Sequence, residues 1–151
     1  MKKPKVKKLS IKKEKARAWK AFSEYVRTHT AFLYESDIVP CYTCEKNLPW
    51  KEMQCGHAIG GWNNSILFSE DLCRVQCVGC NVFGRGKYAI FTFKLIKELG
   101  MDKYEQLVAL SQETKQYKAI DYVDIREKYE KKLEELGWKL QINTLQSLGN
   151  L

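Results

Sequence analysis

The chain has 151 residues, a formal net charge of +8, 44% apolar residues and six cysteines. That length suits one domain, or one small domain with extensions, and no apolar run nears the roughly 20 residues a membrane-spanning helix needs. No apolar segment of about 7–15 residues follows the basic start, which argues against a secretory signal; a reducing cytosol is expected, where cysteines read as metal ligands or buried thiols before disulfides.

The charge is concentrated at one end. Residues 1–20 hold ten Lys or Arg and one Glu, a net +9, and the remaining 131 residues sum to −1. Such an arm cannot bury enough apolar surface to fold alone. It reads either as a solvated tail or as a phosphate-binding arm that releases counterions from nucleic acid, with Lys2, Lys3, Lys5, Lys7, Lys8, Lys12 and Lys13 as contacts. A membrane-surface role is disfavoured, because no apolar face appears before Trp19 and Phe22.

A helix is expected from about Ser10 to Glu35, where Ala16, Trp19, Phe22, Tyr25 and Val26 recur every three or four residues. Pro40 and Pro49 then punctuate "SDIVPCYTCEKNLPW". Residues 37–81 are rich in Cys, Gly, Asn and Pro and read as short strands and loops. The helical period returns from about Gly86, with Ala89, Ile90, Phe93, Ile96 and Leu99 on one face and Gly100 as the stop. Asp102 is expected to cap "KYEQLVAL". A last helix covers roughly Asp121 to Leu136, with Tyr122, Ile125, Tyr129, Leu133 and Leu136 on one face and Glu127–Lys131 and Lys131–Glu135 as exposed pairs. Residues 137–151 carry no pattern that classifies them.

Cys41-Tyr-Thr-Cys44 and Cys77-Val-Gly-Cys80 are two C-x-x-C pairs. Each places two thiolates on one side of a tight turn, and two such knuckles make the four-sulfur site that structural zinc prefers. A separation of 32 residues means that a subdomain loops out between them. Cys55 and Cys73 stand outside the pairs and read as buried free thiols.

The looped-out segment contains "MQCGHAIG". His57 in it is open to three readings: zinc ligand, general base, or polar residue in a turn. Four cysteines satisfy a zinc ion without it. Asn81 follows the last zinc cysteine directly, so zinc would pin Asn81 on one side of a small site with His57 across from it. An imidazole facing an oxygen ligand suits phosphodiester hydrolysis, in which the histidine accepts a proton from water and a hard cation stabilises the phosphate. Arg74, Arg85 and Lys87 flank this region, either as surface charge or as a phosphate clamp. Trp62, Asn63 and Asn64 follow His57; Trp62 reads as a core residue before it reads as a base-stacking one.

"CYTC", "QCGH" and "QCVGCN" with a Gly-bearing turn and Tyr resemble the phage recombination family NinG, or Rap, one of the zinc-stapled HNH (ββα-metal) nucleases. The likeness runs from about Trp19 to Gly100 and includes the "AWKAFSEYVR" helix. The layout is also similar to the endonuclease VII type of junction resolvase. The resemblance implies an α+β fold: a small zinc-stabilised HNH-like ββα-metal module over residues 37–99, with a basic arm and helix before it (1–36) and a helical region after it (100–151). It implies zinc on Cys41, Cys44, Cys77 and Cys80, His57 as general base, and Asn81 as ligand of a catalytic magnesium or manganese. It implies a structure-directed endonuclease for Holliday junctions and D-loops, in the bacterial host's cytoplasm, with recombination proteins as further partners and no membrane. Cutting two opposed strands would need two sites, so a homodimer is expected, through the C-terminal helices. Three positions depart from the HNH pattern. Gly56 stands where an acidic or histidine ligand commonly precedes the base, Gln54 where some relatives have aspartate, and Leu72 at the middle Asn, with Asp71 beside it. A non-catalytic zinc module that binds DNA or a recombinase therefore stays as the alternative.

Overall fold

A computed structural model describes residues 9–60 and 63–149, with side chains up to residue 137. Helix α1 spans Ile11–Tyr34. It ends where Glu35 turns left-handed (φ 49°), with the Glu35 N–H on the Phe32 carbonyl and the Ser36 N–H on that of Ala31. Two antiparallel hairpins follow. The first pairs β1 (Ile38–Pro40) with β2 (Asn47–Pro49) and carries the first cysteine knuckle at its tip. The second pairs β3 (Gln54–His57) with β4 (Cys73–Gln76), His57 standing opposite Cys73. The second knuckle leads from β4 into a wide helical turn, Gly79–Phe83, and then a tight turn, Arg85–Lys87. Three helices complete the chain: α2 (Tyr88–Leu99), α3 (Met101–Ser111) and α4 (Ala119–Gly149). No helix among the described residues is long and apolar enough to cross a membrane. The molecule is thus a mixed helix and small-sheet fold.

The core divides into three apolar clusters. α1 and α4 lie against each other and close over Cys55 and Cys73 of the second hairpin, with Phe22, Tyr25, Tyr129 and Leu136 between them. Val39, Met53 and Val75 surround Cys41, Cys77 and Cys80. Ile66, Leu72, Phe91, Leu95 and Leu107 join the hairpin's connecting segment to α2 and α3. Burying a Phe or Leu completely contributes about 1.5–3 kcal/mol, so the first cluster makes both terminal helices one body with the hairpin.

Several sequence expectations need correction. Ala16 is exposed, and the buried stripe of α1 runs through Ala18, Ala21, Phe22, Tyr25 and Val26. In α2 the buried residues are Phe91 and Leu95, whereas Ile90 and Phe93 are 46% and 60% exposed. α2 is apolar almost all round, so periodicity alone chose the wrong face. Gly100, not Asp102, occupies the N-cap of α3, and Asp102 sits in the first turn. α4 continues to Gly149, beyond the expected stop. Among its described residues the ion pairs within the helix join Arg126 to Glu127 and Glu130, at 3.7 and 3.6 Å, rather than Glu127 to Lys131 or Lys131 to Glu135.

One ion pair ties the two ends. Glu14 is 3% exposed, and its carboxylate meets Arg126 at 3.3 Å and Arg17 at 2.8 Å. Breaking a buried pair by removing one partner costs roughly 3–5 kcal/mol. With Arg17 still in place, Arg126→Ala should lose about 2–3 kcal/mol in denaturant unfolding. Glu14→Gln should recover part of that loss in the double variant; no recovery would mean that the Arg126 stem, not its charge, supports the packing.

Candidate metal centre and adjoining cleft

The first knuckle is shaped by its hairpin. Cys41 N–H donates to the Lys46 carbonyl, and Glu45 N–H to that of Cys41, closing a loop in which Glu45 is left-handed (φ 62°). The second is a helical start, where the N–H groups of Cys80 and Asn81 both donate to the Cys77 carbonyl. The sulfur atoms of Cys41, Cys44, Cys77 and Cys80 all lie within 4.8 Å of one another, and Cys44 and Cys77 are 3.8 Å apart. A tetrahedron with Zn–S bonds of about 2.3 Å has sulfur–sulfur edges of about 3.8 Å. The four side chains therefore fit a structural zinc ion.

The electrostatics fit as well. Burial raises the Cys41 thiol, but the N–H groups of Cys77, Cys44 and Thr43 and the Thr43 hydroxyl outweigh it and bring its pKa to about 6. The Cys77 N–H lies 3.3 Å from its sulfur. Cys80 is pushed up to about 12, first by burial and then by the neighbouring thiols. Four thiols this close ionise together only around a cation. Cys55 and Cys73 form no part of the cluster. They lie buried in the α1–α4 core, where burial and each other's proximity hold Cys73 well above the usual thiol range.

Beside the knuckles opens a cleft of about 490 Å³, lined among others by Trp19, Arg27, Gln54, His57, Asn81 and Tyr88. His57 and Asn81 are thus brought to one cavity. The His57 ring is held on one face and at one nitrogen. One face stacks on Trp19 of α1, with centroids 5.3 Å apart and planes 19° apart. Its Nε2 lies 3.0 Å from the Leu67 carbonyl. A carbonyl only accepts, so Nε2 carries the hydrogen and Nδ1 holds the lone pair. Burial lowers the His57 pKa, the Leu67 carbonyl opposing it in part. Asn81 is also oriented: its Nδ2 donates to Gln54 Oε1 at 2.8 Å, leaving Oδ1 as the acceptor end of the amide.

Gly56 has a structural reason. A Cβ there would lie 2.0 Å from Gln76 Oε1. Gln76 is fully buried, and its Nε2 bridges the Thr43 hydroxyl at 3.0 Å and the Gly86 carbonyl at 2.9 Å. The space of an acidic residue at 56 is filled by a strut between the two knuckles.

The other sequence candidates are dispersed. Arg74 is not at the cleft; its guanidinium holds Glu98 and the carbonyls of Glu70 and Cys73. Asp71 pairs with Lys103 at 3.1 Å, and Glu70 binds Lys132 and Tyr129, so neither offers a carboxylate to His57. Asn63 and Asn64 bind the carbonyls of Ser111 and Lys115, tying their loop to the segment between α3 and α4. Arg85 and Lys87 are exposed on the turn between Asn81 and Tyr88, and Lys12 and Lys13 are exposed on the first turn of α1. Lys2, Lys3, Lys5, Lys7, Lys8 and Trp62 lie outside the described residues.

Sequence reasoning missed Arg27 and met Gln54 only as a departure from the aspartate of some relatives. Arg27 is the one charged side chain in the cleft lining among the described residues. The signal was present: Trp19, Ser23 and Arg27 recur every four residues on one face of α1, and all three line the cleft.

No curated protein and no solved structure matches the chain. The family model described as Bacteriophage Lambda NinG protein matches residues 1–138. A match over nearly the whole length, with the four cysteines assembled, makes the chain a member of the NinG family, a family tied to phage recombination.

Proposed function

We propose that this protein is a structure-directed DNA endonuclease acting on branched recombination intermediates, such as Holliday junctions and D-loops, with the His57–Asn81 cleft as its hydrolytic site. The observation that carries this reading is one cleft, braced by the cysteine cluster, in which an oriented neutral imidazole, an oriented amide and an arginine meet. β3, β4 and α2 also follow one another in the strand–strand–helix order of an HNH-like module.

In the proposed reaction Nδ1 of His57 takes a proton from water as the water oxygen attacks phosphorus. The bond from phosphorus to the 3′ oxygen breaks, and that oxygen leaves with a proton from solvent. Arg27 holds a phosphate. Its Nε and Nη1 donate to the Ser23 and Lys51 carbonyls at 3.2 and 3.4 Å, which fixes the guanidinium and keeps further N–H groups for the ligand. Asn81 Oδ1 is a hard donor that would hold magnesium or manganese together with the substrate's own phosphate oxygens. When bound, such a cation would stabilise negative charge on the phosphate.

A second reading has one observation in its favour: among the described residues no carboxylate lines the cleft. A neutral donor set holds magnesium weakly, which suits a non-catalytic zinc module that binds DNA or a recombinase partner. Incubation of the zinc-loaded protein with a four-way junction and a matched duplex, with magnesium or manganese, separates the two. Nicking of the junction is expected, and binding without cutting under either metal would select the second reading. Arg27→Ala should lower kcat/KM about tenfold or more, with Arg27→Lys restoring part of it and the circular dichroism unchanged. An unaltered rate in Arg27→Ala would remove the phosphate role. Cutting opposed strands needs two copies. Tyr129 and Leu136 of α4 pack on α1 within the chain, so a homodimer through the C-terminal helices would use another face of them. The expected setting is the cytoplasm of the bacterial host.

A further inference from the structure

We propose that Phe83 is the residue by which this protein tells branched DNA from linear duplex: its ring stacks on an unstacked base at the branch point. The inference rests on the reading of the cleft as a DNA site and names how that site selects its substrate. Phe83 is 82% exposed, and Val82 beside it is 52% exposed. An apolar ring this open is not held out by a floppy loop. The turn that carries it begins inside the second knuckle, and the Gly84 N–H closes it on the Gly79 carbonyl at 2.7 Å. A Cβ at Gly84 would lie 2.9 Å from the Cys80 carbonyl oxygen, so the chain folds tightly back on the cysteine cluster. The ring is therefore presented by a braced base.

Phe83 lies in the chain between two residues of the cleft lining. Asn81, two residues earlier, and Tyr88, five residues later, both line that cavity. Between them Arg85 and Lys87 are exposed on either side of Gly86, at φ 50°, 49° and 82° respectively. The buried Gln76 amide fixes this turn by donating to the Gly86 carbonyl at 2.9 Å. Arg85 and Lys87 follow Phe83 by two and four residues, and no acidic residue stands between Asn81 and Lys97, whereas Lys94 further on is paired with Glu45 at 2.6 Å. An exposed aromatic ring beside the exposed Arg85 and Lys87 matches a base beside phosphates, since stacking takes the base while Lys and Arg take the backbone. A second copy of the chain on the same face would set these cations against one another, which costs affinity. Paired duplex shields the faces of its bases, whereas a branch point exposes them, so the ring contributes on branched DNA and little on duplex.

The test uses the full-length, zinc-loaded protein with no other divalent cation, so that nothing is cut. Wild type, Phe83→Ala and Phe83→Trp are titrated by fluorescence anisotropy onto a four-way junction and a matched duplex, each with 2-aminopurine at the central position. Phe83→Ala should weaken junction binding about tenfold, leave duplex binding within about twofold, and lose the 2-aminopurine emission rise expected of wild type. Phe83→Trp should restore the junction binding. A junction preference and emission change that survive in Phe83→Ala would overturn the inference alone. Conversion of a dimer to a monomer by Phe83→Ala in sedimentation, with the preference lost in step, would make the patch an interface between copies and overturn it too. A wild type with neither junction preference nor cleavage defeats the reading of the cleft and this inference with it.

Discussion

Replacing His57 by alanine is expected to abolish strand cleavage while leaving the protein folded and bound to DNA. A positioned general base contributes typically 10²–10⁴-fold, so the variant's rate should fall to the background of the assay. The fold should survive, because what is lost is one hydrogen bond to the Leu67 carbonyl and one stacked ring on Trp19, together about 1–2 kcal/mol. His57→Gln keeps a donor for Leu67 and should be equally inactive, separating the proton acceptor from the structural contact. The pH profile carries a second check. Burial holds the His57 pKa below the usual 6.5, so the base is neutral at pH 7. Cleavage should be flat around neutrality and fall about tenfold per pH unit once the pH drops beneath the lowered value. Stability follows the same sign. The folded state takes up this proton less readily than the unfolded chain, so the contribution is complete above about 6.5 and is lost as the pH falls through the folded value. A variant that still cuts junctions at more than about a tenth of the wild-type rate would remove His57 from the chemistry.

Loss of the metal is the other large effect. Structural zinc contributes apparent free energies of about 10–16 kcal/mol at neutral pH, as much as or more than the whole 5–15 kcal/mol stability of a typical domain. Chelation, or Cys77→Ser, is expected to melt the knuckle cluster and to lower the unfolding temperature by tens of degrees. Metal analysis should give one zinc per chain in the wild type and none in Cys77→Ser. Cys55→Ser and Cys73→Ser should keep the full zinc content, since those thiols lie in the α1–α4 core. Cobalt substitution adds a spectroscopic readout: a thiolate-to-cobalt charge-transfer band with tetrahedral ligand-field bands that Cys77→Ser lacks. A zinc-free protein of undiminished stability would refute the site.

The cysteine cluster was legible because its chemistry is written in spacing: two C-x-x-C turns place thiolates whatever lies between them, here 32 residues. The apolar stripes of α1 and α4 were legible for a similar reason, their opposite faces being charged. The placing of Asn81 across from His57 followed from its position directly after the last knuckle cysteine rather than from any period. What escaped depended on long-range partners. Nothing local in Gln54 says that it will hold the Asn81 amide, nor in Arg74 that Glu98 will claim it. Gly56 looked like a missing ligand, yet a buried glutamine twenty residues on occupies its place. α2 misled because Ile90 and Phe93 share the composition of the buried Phe91 and Leu95, and only the position of α3 and of the hairpin decides which side is covered.

The packing of α1 against α4 also orders events during synthesis. The two helices lie about a hundred residues apart in the chain, and the Glu14–Arg126 pair spans 112 residues. Contacts of such separation are slow to form and wait for the later segment to leave the ribosome. The cysteine cluster is complete once Cys80 has emerged, so zinc can staple the central hairpins while α1 still lacks its partner. Until α4 arrives, the apolar stripe of α1 around Phe22 and Tyr25 lies open to chaperones and to aggregation. The order of emergence thus exposes all four cysteines before the helix that covers α1 has been made.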